Sequence, residues 1–434
     1  MMNENKQNMI LSEAERKKLI PSLRFPEFKN DGEWNEDKVK NLISTITPPQ
    51  KLKTSEYSET GKFPIIDQSQ KFYCGWTNDT KSIIFKNLPL IIFGDHTCII
   101  KLIKEPFAQG ADGIKILKPN KKITPEFLYQ FLQYNGVKQE NYKRHFSKLK
   151  EKLVFFPDIK TGEQQKIADF LSNLDELLAA HKQKLELLKQ HKKGLMQRMF
   201  PIENGSLIDN GKWKIDNEGN NSQFSILNSQ LKNVPEWRFP EFKNDGEWVV
   251  KKLGEVGKPL MCKRIFKNQT TTKSINGVPF YKIGTFGKKA DSYIPVSLYN
   301  EYKEKYNFPQ KGDILISASG TIGRLVIYDG SPAYFQDSNI VWLGHSEMQI
   351  INKFLFYCYS VVNWQTSDGG IIKRLYNSNF KNIKIIFPRN KQEQQKIADF
   401  LSNLDELITA QAEKIEQLER HKKGLMQKIF PMDN

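Results

Sequence analysis

The chain has 434 residues, more than the ~250 to 300 over which one hydrophobic core usually extends, so two or more domains are expected. Lysine and arginine outnumber aspartate and glutamate by 66 to 49, and the formal charge of +17 favours a polyanionic partner. No apolar run approaches the ~18 residues that would cross a bilayer, and the N-terminus carries no secretory signal, so we expect a cytoplasmic protein.

A short segment near the N-terminus returns in the middle of the chain. After an N-terminal extension of residues 1–21, residues 24–34 read Arg-Phe-Pro-Glu-Phe-Lys-Asn-Asp-Gly-Glu-Trp, and the same segment recurs unchanged at 238–248. A longer repeat closes each half, because residues 163–201 match residues 393–431 at 28 of 39 positions. The chain is therefore built from two copies of one unit.

The first half carries a predicted domain of mixed α/β type at residues 22–162. Short runs rich in β-branched residues alternate there with Gly, Asn and Asp turns, which is typical of strands. One helix is well signalled, because Thr124 is a suitable N-cap, Pro125 stands in the first turn, and Asn135-Gly136 ends the apolar spacing.

A long helix is predicted at residues 163–201, and its copy at 393–431. Apolar residues recur there at alternating spacings of four and three, the pattern of a coiled-coil seam. A two-fold relation between the copies would pair the helices antiparallel, whereas the alternative is that each helix packs on its own domain with ordinary amphipathicity. The predicted seam consists of Ile167, Leu171, Leu174, Leu178, His181, Leu185, Leu188, Lys192, Leu195 and Met199, and of Ile397, Leu401, Leu404, Ile408, Gln411, Ile415, Leu418, Lys422, Leu425 and Ile429.

A linker is predicted at residues 202–234, which are rich in Asn, Gly, Ser and Asp. A second mixed α/β domain follows at residues 235–392, with a helix expected near residues 349–362. The fold class predicted for the chain is α+β: two mixed α/β domains separated by two long helices that form an antiparallel coiled coil, with an internal pseudo-two-fold repeat.

The positive charge lies in the two domains and not in the helices. Residues 22–162 carry a net charge of +7 and residues 235–392 a net charge of +10, whereas the helical repeats carry +2 and −1. The stretches between the repeated borders, 35–162 and 249–392, resemble each other only in scattered places. A constant frame with two different basic domains suits a protein that binds DNA at two places, with phosphate contacts for affinity and base contacts for specificity.

Motifs of enzymes that act on nucleic acids are missing from the sequence. It has no G-x-x-x-x-G-K-[ST] phosphate loop, no Asn-Pro-Pro-aromatic tetrapeptide of adenine methyltransferases and no G-x-G-x-x-G loop. The four cysteines lie far apart without zinc-site spacing, and we interpret them as reduced, mostly buried thiols. We expect no catalytic residue, no metal site and no cofactor bound by this chain.

Several segments make the sequence resemble the specificity subunits of type I restriction-modification systems. The most specific are the two Glu-Gln-Gln-Lys-Ile-Ala-Asp-Phe-Leu segments that open the predicted long helices. Further markers are Phe93-Gly94-Asp95-His96-Thr97 in the first domain and Ser319-Gly320-Thr321-Ile322-Gly323 in the second. The resemblance covers residues 21–431.

The resemblance implies a non-catalytic subunit that binds double-stranded DNA, two methyltransferase subunits and, through them, restriction subunits. Each domain would be a target recognition domain for one half of a bipartite, asymmetric site. The partners, which use S-adenosylmethionine, ATP and Mg, would then methylate adenine or cleave the DNA. The alternative is a stand-alone two-domain DNA-binding regulator.

Candidate DNA contacts are polar or basic side chains in predicted loops, since Gln and Asn fit adenine, and Arg and Lys fit guanine. For each one, a phosphate contact or a purely structural turn is an alternative to base recognition. The candidates are Gln68, Gln70, Lys71, His96, Thr97, Lys143, Arg144 and His145 in the first domain, and Lys282, Thr285, Lys288, Lys289, Ser317, Ser319, Thr321, Arg324, Lys373 and Arg374 in the second.

Overall fold

The computed structural model describes residues 19–111, 113–140, 143–201, 207–209, 212–214, 233–362, 364 and 374–431. The chain divides into two compact units, one formed by residues 1–184 with 411–434 and the other by residues 185–410. Each unit therefore holds one α/β domain, the beginning of the long helix that follows this domain, and the end of the other long helix.

The first unit is a mixed α/β domain joined to a long helix. Its strands are β1 (Asn35–Lys38), β2 (Ile43–Ile46), β3 (Phe63–Ile66), β4 (Gly75–Thr77), β5 (Ile83–Ile84), β6 (Leu90–Gly94), β7 (Ile100–Ile103), β8 (Phe107–Gln109), β9 (Ile114–Pro119) and β10 (Leu153–Phe156). Its helices are α1 (Val39–Leu42), α2 (Pro125–Tyr134), α3 (Phe146–Glu151) and the first part of α4 (Glu163–Met199).

The strands of the first unit form two four-stranded sheets and one separate pair. The first sheet has the order β2-β9-β6-β7 with antiparallel neighbours, and the second has the order β4-β3-β8-β5 with β3 and β8 parallel. Helix α2 buries Phe127, Leu128 and Phe131 in the largest apolar core of this unit. The loops that leave β3 and β6 at their carboxyl ends carry several of the candidate DNA contacts.

The second unit is also a mixed α/β domain joined to a long helix, but its strands and helices differ in number and length from those of the first. Its strands are β11 (Leu207–Asp209), β12 (Lys212–Lys214), β13 (Val249–Lys252), β14 (Lys258–Leu260), β15 (Gly277–Tyr281), β16 (Tyr293–Pro295), β17 (Ile314–Ser317), β18 (Leu325–Ile327), β19 (Tyr334–Phe335), β20 (Ile340–Gly344) and β21 (Lys384–Phe387). Its helices are α5 (Leu253–Val256), α6 (Val296–Lys305), α7 (Asn352–Val361), α8 (Asn377–Asn382) and the first part of α9 (Lys391–Ile429).

The sheets of the second domain correspond only in part to those of the first. The second domain has one four-stranded sheet of order β14-β20-β17-β18 and one three-stranded sheet of order β16-β15-β19. Strand β13 pairs with β21 as β1 pairs with β10. Most of the predicted linker lies outside the described residues. Within its described part, β11 and β12 form a short antiparallel hairpin.

The two long helices run side by side in opposite directions within each unit. In the first unit, Asp175 forms an ion pair with Lys422, and the Nε2 of Gln411 donates to the carbonyl oxygen of His181 at 2.9 Å. In the second unit, Lys192 forms the corresponding ion pair with Asp405. From contact to contact, the residue numbers rise along α4 and fall along α9. The predicted antiparallel pairing is therefore confirmed.

Every predicted seam residue is buried or half-buried. At its ends the seam merges with the domain cores, because Ile167 and Leu171 of α4 share a core with Ile429 and Phe430, at and just beyond the end of α9. The ring of Phe430 meets that of Phe131 edge to face at 5.4 Å. Each long helix therefore packs on its own domain over its first turns and on the other domain over its last, as Met199 does in the core of the second domain. Between these ends the seam is a helix-to-helix contact.

The repeated segment 24–34 fastens the first domain to the start of α4. Arg24 donates through Nε and Nη2 to the two carboxylate oxygens of Glu163 at 2.8 and 2.6 Å, and Trp34 Nε1 donates to the same carboxylate at 3.3 Å. The side chains of Arg24 and Glu163 are only 6% and 0% exposed. We call this trio a frame clamp. The second half repeats it with Arg238, Trp248 and Glu393.

The residue after each clamp glutamate ties the long helix to a shorter one. Gln164 Oε1 accepts from the backbone N–H of Thr124 at 2.8 Å, and Gln394 Oε1 accepts from that of Ile351 at 2.9 Å. Thr124 is the N-cap of α2 as predicted, because its hydroxyl accepts from the N–H of Phe127. The Glu-Gln dipeptides of the marker segments are therefore structural.

Candidate nucleic-acid interface

A loop at residues 67–73 joins β3 to β4 and carries three of the candidate residues. The buried side chain of Lys101, on β7, holds this loop through its backbone. Lys101 Nζ donates to the carbonyl oxygens of Asp67, Lys71 and Phe72 at 2.9, 2.6 and 3.4 Å. Burial lowers the pKa of the Lys101 ammonium. Because a single side chain satisfies three backbone acceptors, the loop has a defined shape before any ligand binds.

The loop that follows β6 packs against the 67–73 loop. Gln68 Oε1 accepts from the backbone N–H of His96 at 3.3 Å, and its carbonyl oxygen accepts from the hydroxyl of Thr97 at 2.9 Å. Gly113 adopts a φ of +101°, and a Cβ there would lie 2.4 Å from Gln68 Nε2. The positive φ thus favours glycine at this position, and Gln68 links two candidate loops.

A third loop is joined to these through Asp95. Its Oδ1 accepts from the backbone N–H groups of His145 and Phe146 at 2.9 and 2.8 Å, which caps the start of α3. The two residues before this cap, Lys143 and Arg144, are exposed. The first domain therefore brings residues from all three predicted clusters to one place.

The loop at residues 282–289 of the second domain is held by two side chains from other loops. Gln336 Oε1 accepts from the backbone N–H of Ile283 at 3.0 Å, and Arg324 Nη1 donates to the carbonyl oxygen of Phe286 at 3.0 Å. The second domain therefore also joins its candidate loops, but with different side chains from those of the first.

A second set of contacts joins the small-residue turn after β17 to neighbouring loops. Ser319 donates through its hydroxyl to Asn339 Oδ1 at 2.9 Å, and Arg374 Nη2 donates to the carbonyl oxygen of Ser338 at 3.1 Å. Ser319 and Arg374 also form an isolated backbone bridge. The turn, the 336–339 segment and Arg374 are therefore one assembly.

The candidate residues differ in how far they face solvent. Those that are exposed are Gln70, Lys71, Lys143, Arg144, Lys288, Lys289 and Thr321. Those that are half-buried are Gln68, His96, Thr97, Lys282, Thr285, Ser319, Arg324 and Arg374. His145 and Ser317 are buried, and Lys373 lies outside the described residues.

The sequence model of a protein family identifies both halves of the chain. The family is described as the type I restriction modification DNA specificity domain, and it matches residues 32–190 and again residues 245–420. The chain belongs to the type I restriction-modification specificity family. The two matches cover both sets of candidate loops.

Individual relatives of this specificity-family chain agree with that assignment. A Haemophilus influenzae protein named as a type I restriction enzyme specificity subunit is 54% identical over 158 residues, which are 36% of this chain and 40% of that protein. A Methanocaldococcus jannaschii specificity subunit is 25% identical over 353 residues, 73% of this chain and 75% of the relative. The crystal structure of a type I S subunit from M. genitalium has the same fold, with a TM-score of 0.61 at 17% identity, covering 95% of this chain and 100% of that one.

Two of the candidate DNA contacts have side chains that are buried and hydrogen-bonded within the protein. His145 is 0% exposed, and its Nε2 accepts from the backbone N–H of Glu140 at 3.0 Å. Ser317 is 1% exposed, and its hydroxyl donates to the carbonyl oxygen of Thr321 while accepting from the N–H of Arg324. Both residues shape the loops of the specificity domains, and neither faces solvent.

Sequence reasoning missed the side chains that hold the loops, above all Lys101 and Gln336. A signal for Lys101 was present, because it occupies an inward position in the otherwise apolar strand β7. A lysine at an inward position needs acceptors, and loop carbonyls provide them. Gln336 has no comparable local signal.

The thiols of this specificity-family chain are poor nucleophiles. Burial raises the pKa of Cys74 and Cys262 to about 12, and it also raises the pKa of Cys98 and Cys358. Among the described residues, no group of three His, Cys, Asp or Glu side chains could hold a metal ion, and no helix is long and apolar enough to span a membrane.

Proposed function

We propose that this chain recognises a bipartite, asymmetric DNA site for a type I restriction-modification complex and catalyses no reaction itself. The observation that carries the proposal is the contrast between the frame clamps, which are alike in the two halves, and the candidate loops, which are not. The frame clamps use the same three residue types and the same arginine-to-glutamate hydrogen bonds, whereas the loops differ in their residues and in the side chains that hold them. Two different loop sets on one frame support two different half-sites.

The chemistry of the loops supports DNA as the ligand. Exposed Gln70 offers an amide that fits the edge of adenine, and exposed lysines and arginines offer contacts to phosphate or guanine. The domains carry net charges of +7 and +10, so phosphate neutralisation would supply a large share of the affinity.

The repeated helices support two copies of a partner. Leu177 and Leu407 occupy the same position of the helical repeat and are 43% and 58% exposed. Equivalent exposed leucines suit docking of two identical methyltransferase subunits, with restriction subunits recruited through them. In this proposal the partners bind S-adenosylmethionine, ATP and Mg, this chain holds no cofactor, and the complex acts in the cytoplasm on adenine methylation and DNA cleavage.

The test is to produce the chain with the methyltransferase of its own system in a host that lacks other adenine methyltransferases, and to map methylated adenines across the genome. We expect one bipartite motif with two different halves, and no motif when this chain is omitted. Methylation without the chain, or a motif with identical halves, would overturn the proposal.

The purified chain separates the proposal from the regulator alternative and from an enzyme. A specificity subunit binds its site tightly only with the methyltransferase present, whereas a regulator binds it tightly alone. Calorimetry that detects S-adenosylmethionine binding to the isolated chain would show that the chain is itself a methyltransferase.

A further inference from the structure

An exposed aromatic pair stands on the 67–73 loop. Phe72 is 46% and Tyr73 37% exposed, and their rings meet edge to face with centroids 4.9 Å apart. Tyr73 also lies 5.5 Å from the ring of Trp76, and its hydroxyl donates to the carboxylate of Glu105. Burial and this carboxylate raise the pKa of Tyr73 to about 12, so the hydroxyl stays protonated and keeps the bond. The pair is exposed and yet fixed in position.

The backbone that carries the pair is fixed as well. Lys101 Nζ donates to the carbonyl oxygens of Phe72 and of Lys71, the residue directly before the pair. Gln70 and Lys71, directly before the pair, are exposed. One preformed loop therefore presents an amide, an ammonium and two aromatic rings in succession, and little conformational entropy is lost when they bind.

We propose that the Phe72–Tyr73 pair contacts the thymine methyl group of an A·T base pair in the major groove of the first half-site, while Gln70 hydrogen-bonds the adenine of the same pair. An A·T pair presents adenine N6 and N7 beside the 5-methyl group of thymine, so an amide and an apolar ring on one loop match a single pair. The inference rests on the proposed function. Duplex DNA is the fitting occupant because the domain carries a net charge of +7 and Lys71 borders the pair.

The same domain offers a matched control in Phe85. This ring is 51% exposed and packs edge to face on Phe63 at 5.5 Å. Phe63 begins β3, whereas the 67–73 loop follows the other end of that strand. Replacement of Phe85 therefore removes an exposed phenylalanine of equal size from a different part of the domain.

The experiment measures binding of the assembled complex, chain plus methyltransferase, to duplexes that carry the site found by methylation mapping. Each thymine of the first half-site is replaced in turn by uracil, which lacks the 5-methyl group. At one position the wild-type complex should bind about four-fold more weakly, the value of one buried methyl group. The Phe72→Ala complex should be insensitive to uracil at that position, whereas Phe85→Ala should respond as the wild type does.

Three results would overturn the inference. The first is equal sensitivity to uracil in the wild-type and Phe72→Ala complexes at every thymine. The second is a Phe72-dependent rise in the fluorescence of 2-aminopurine within the half-site, which would indicate insertion between bases. The third is loss of methyltransferase from the Phe72→Ala complex by native mass spectrometry, which would make the pair a protein contact. Failure of the proposed function differs from all three, because the wild-type complex would then show no preference for the site.

Discussion

The frame clamps and the candidate loops differ in how they changed after the duplication. In both clamps an arginine and a tryptophan donate hydrogen bonds to one glutamate carboxylate. The loops, in contrast, are held by Lys101 in the first domain and by Arg324 and Gln336 in the second. Both halves attach the domain to its long helix through the same three residue types. The loops, in contrast, have their backbone groups bonded by different side chains in the two halves.

The largest effect is expected when one half is removed. A fragment of residues 1–211 keeps the first domain and all of α4 but loses the antiparallel partner helix. Its seam leucines would face water at a cost of about 1.5 to 3 kcal/mol for each side chain. Two fragments remove that cost by pairing antiparallel, with His181 near its twin. The seam leucines of the fragment are Leu171, Leu174, Leu178, Leu185 and Leu188, of which Leu171 and Leu174 also pack in the core of the first domain.

Light scattering should therefore give the mass of a symmetric dimer. With methyltransferase present, the methylated motif should be a palindrome made from the first half-site. A soluble monomer, or a dimer with a non-palindromic motif, would show that the two helices are not each other's partners.

Breaking a frame clamp should have the next largest effect. Glu163→Ala leaves the guanidinium of Arg24 buried without its partner, and we expect a loss of about 3 to 5 kcal/mol in the free energy of unfolding. Glu393→Ala should cost a similar amount because its clamp is the same. Lys166→Ala is the control, since its pair with Glu27 is solvent-exposed and should contribute little. Urea unfolding would contradict the clamp if the alanine variants at 163 and 166 were equally stable.

Removing the support of a single loop should have a more local effect. Lys101→Met deletes the ammonium that binds three carbonyl groups, and a hydrogen bond to a charged group contributes about 1.5 to 3 kcal/mol. Hydrogen exchange should become faster at residues 67–73 and stay unchanged in the second domain. Exposed Lys104 offers the control variant Lys104→Met. Unchanged exchange in the 67–73 loop would show that Lys101 does not support it.

The smallest effect is expected at the exposed basic residues beside the loops. Lys143→Ala and Arg144→Ala should each weaken binding to all DNA sequences alike and lower the salt dependence of binding by about one unit per lost contact. Binding titrations over a range of salt concentrations measure both quantities. If Arg144→Ala changes the preferred base, this residue contacts a base and not a phosphate.

Periodicity and exact repetition made the helical frame predictable from the sequence. The seam spacing predicts both long helices, and a two-fold relation between the copies predicts their antiparallel pairing, in which His181 contacts its copy Gln411. The clamps could not be predicted in this way. Arg24 and Glu163 lie 139 residues apart, and no local pattern reports a contact over that distance.

The candidate loops show the limit of local polarity as a guide to which side chains face solvent. His145 follows Lys143 and Arg144, and the basic run predicts that all three face solvent. Asp95, 50 residues away, instead bonds the backbone of His145, whose side chain is buried. Burial of a polar side chain depends on acceptors from distant strands, so sequence could predict the loops but not which loop residues face outward.

The most direct test of a constant frame with two independent recognition domains is a domain exchange. Residues 35–162 are replaced by the same segment of a relative whose methylated motif differs, and methylated adenines are mapped with the methyltransferase unchanged. The frame segments 24–34 and 163–201 stay in place, so the complex should still assemble and methylate. We expect one half of the motif to change and the other half to remain the same. A motif altered in both halves would contradict independent recognition by the two domains.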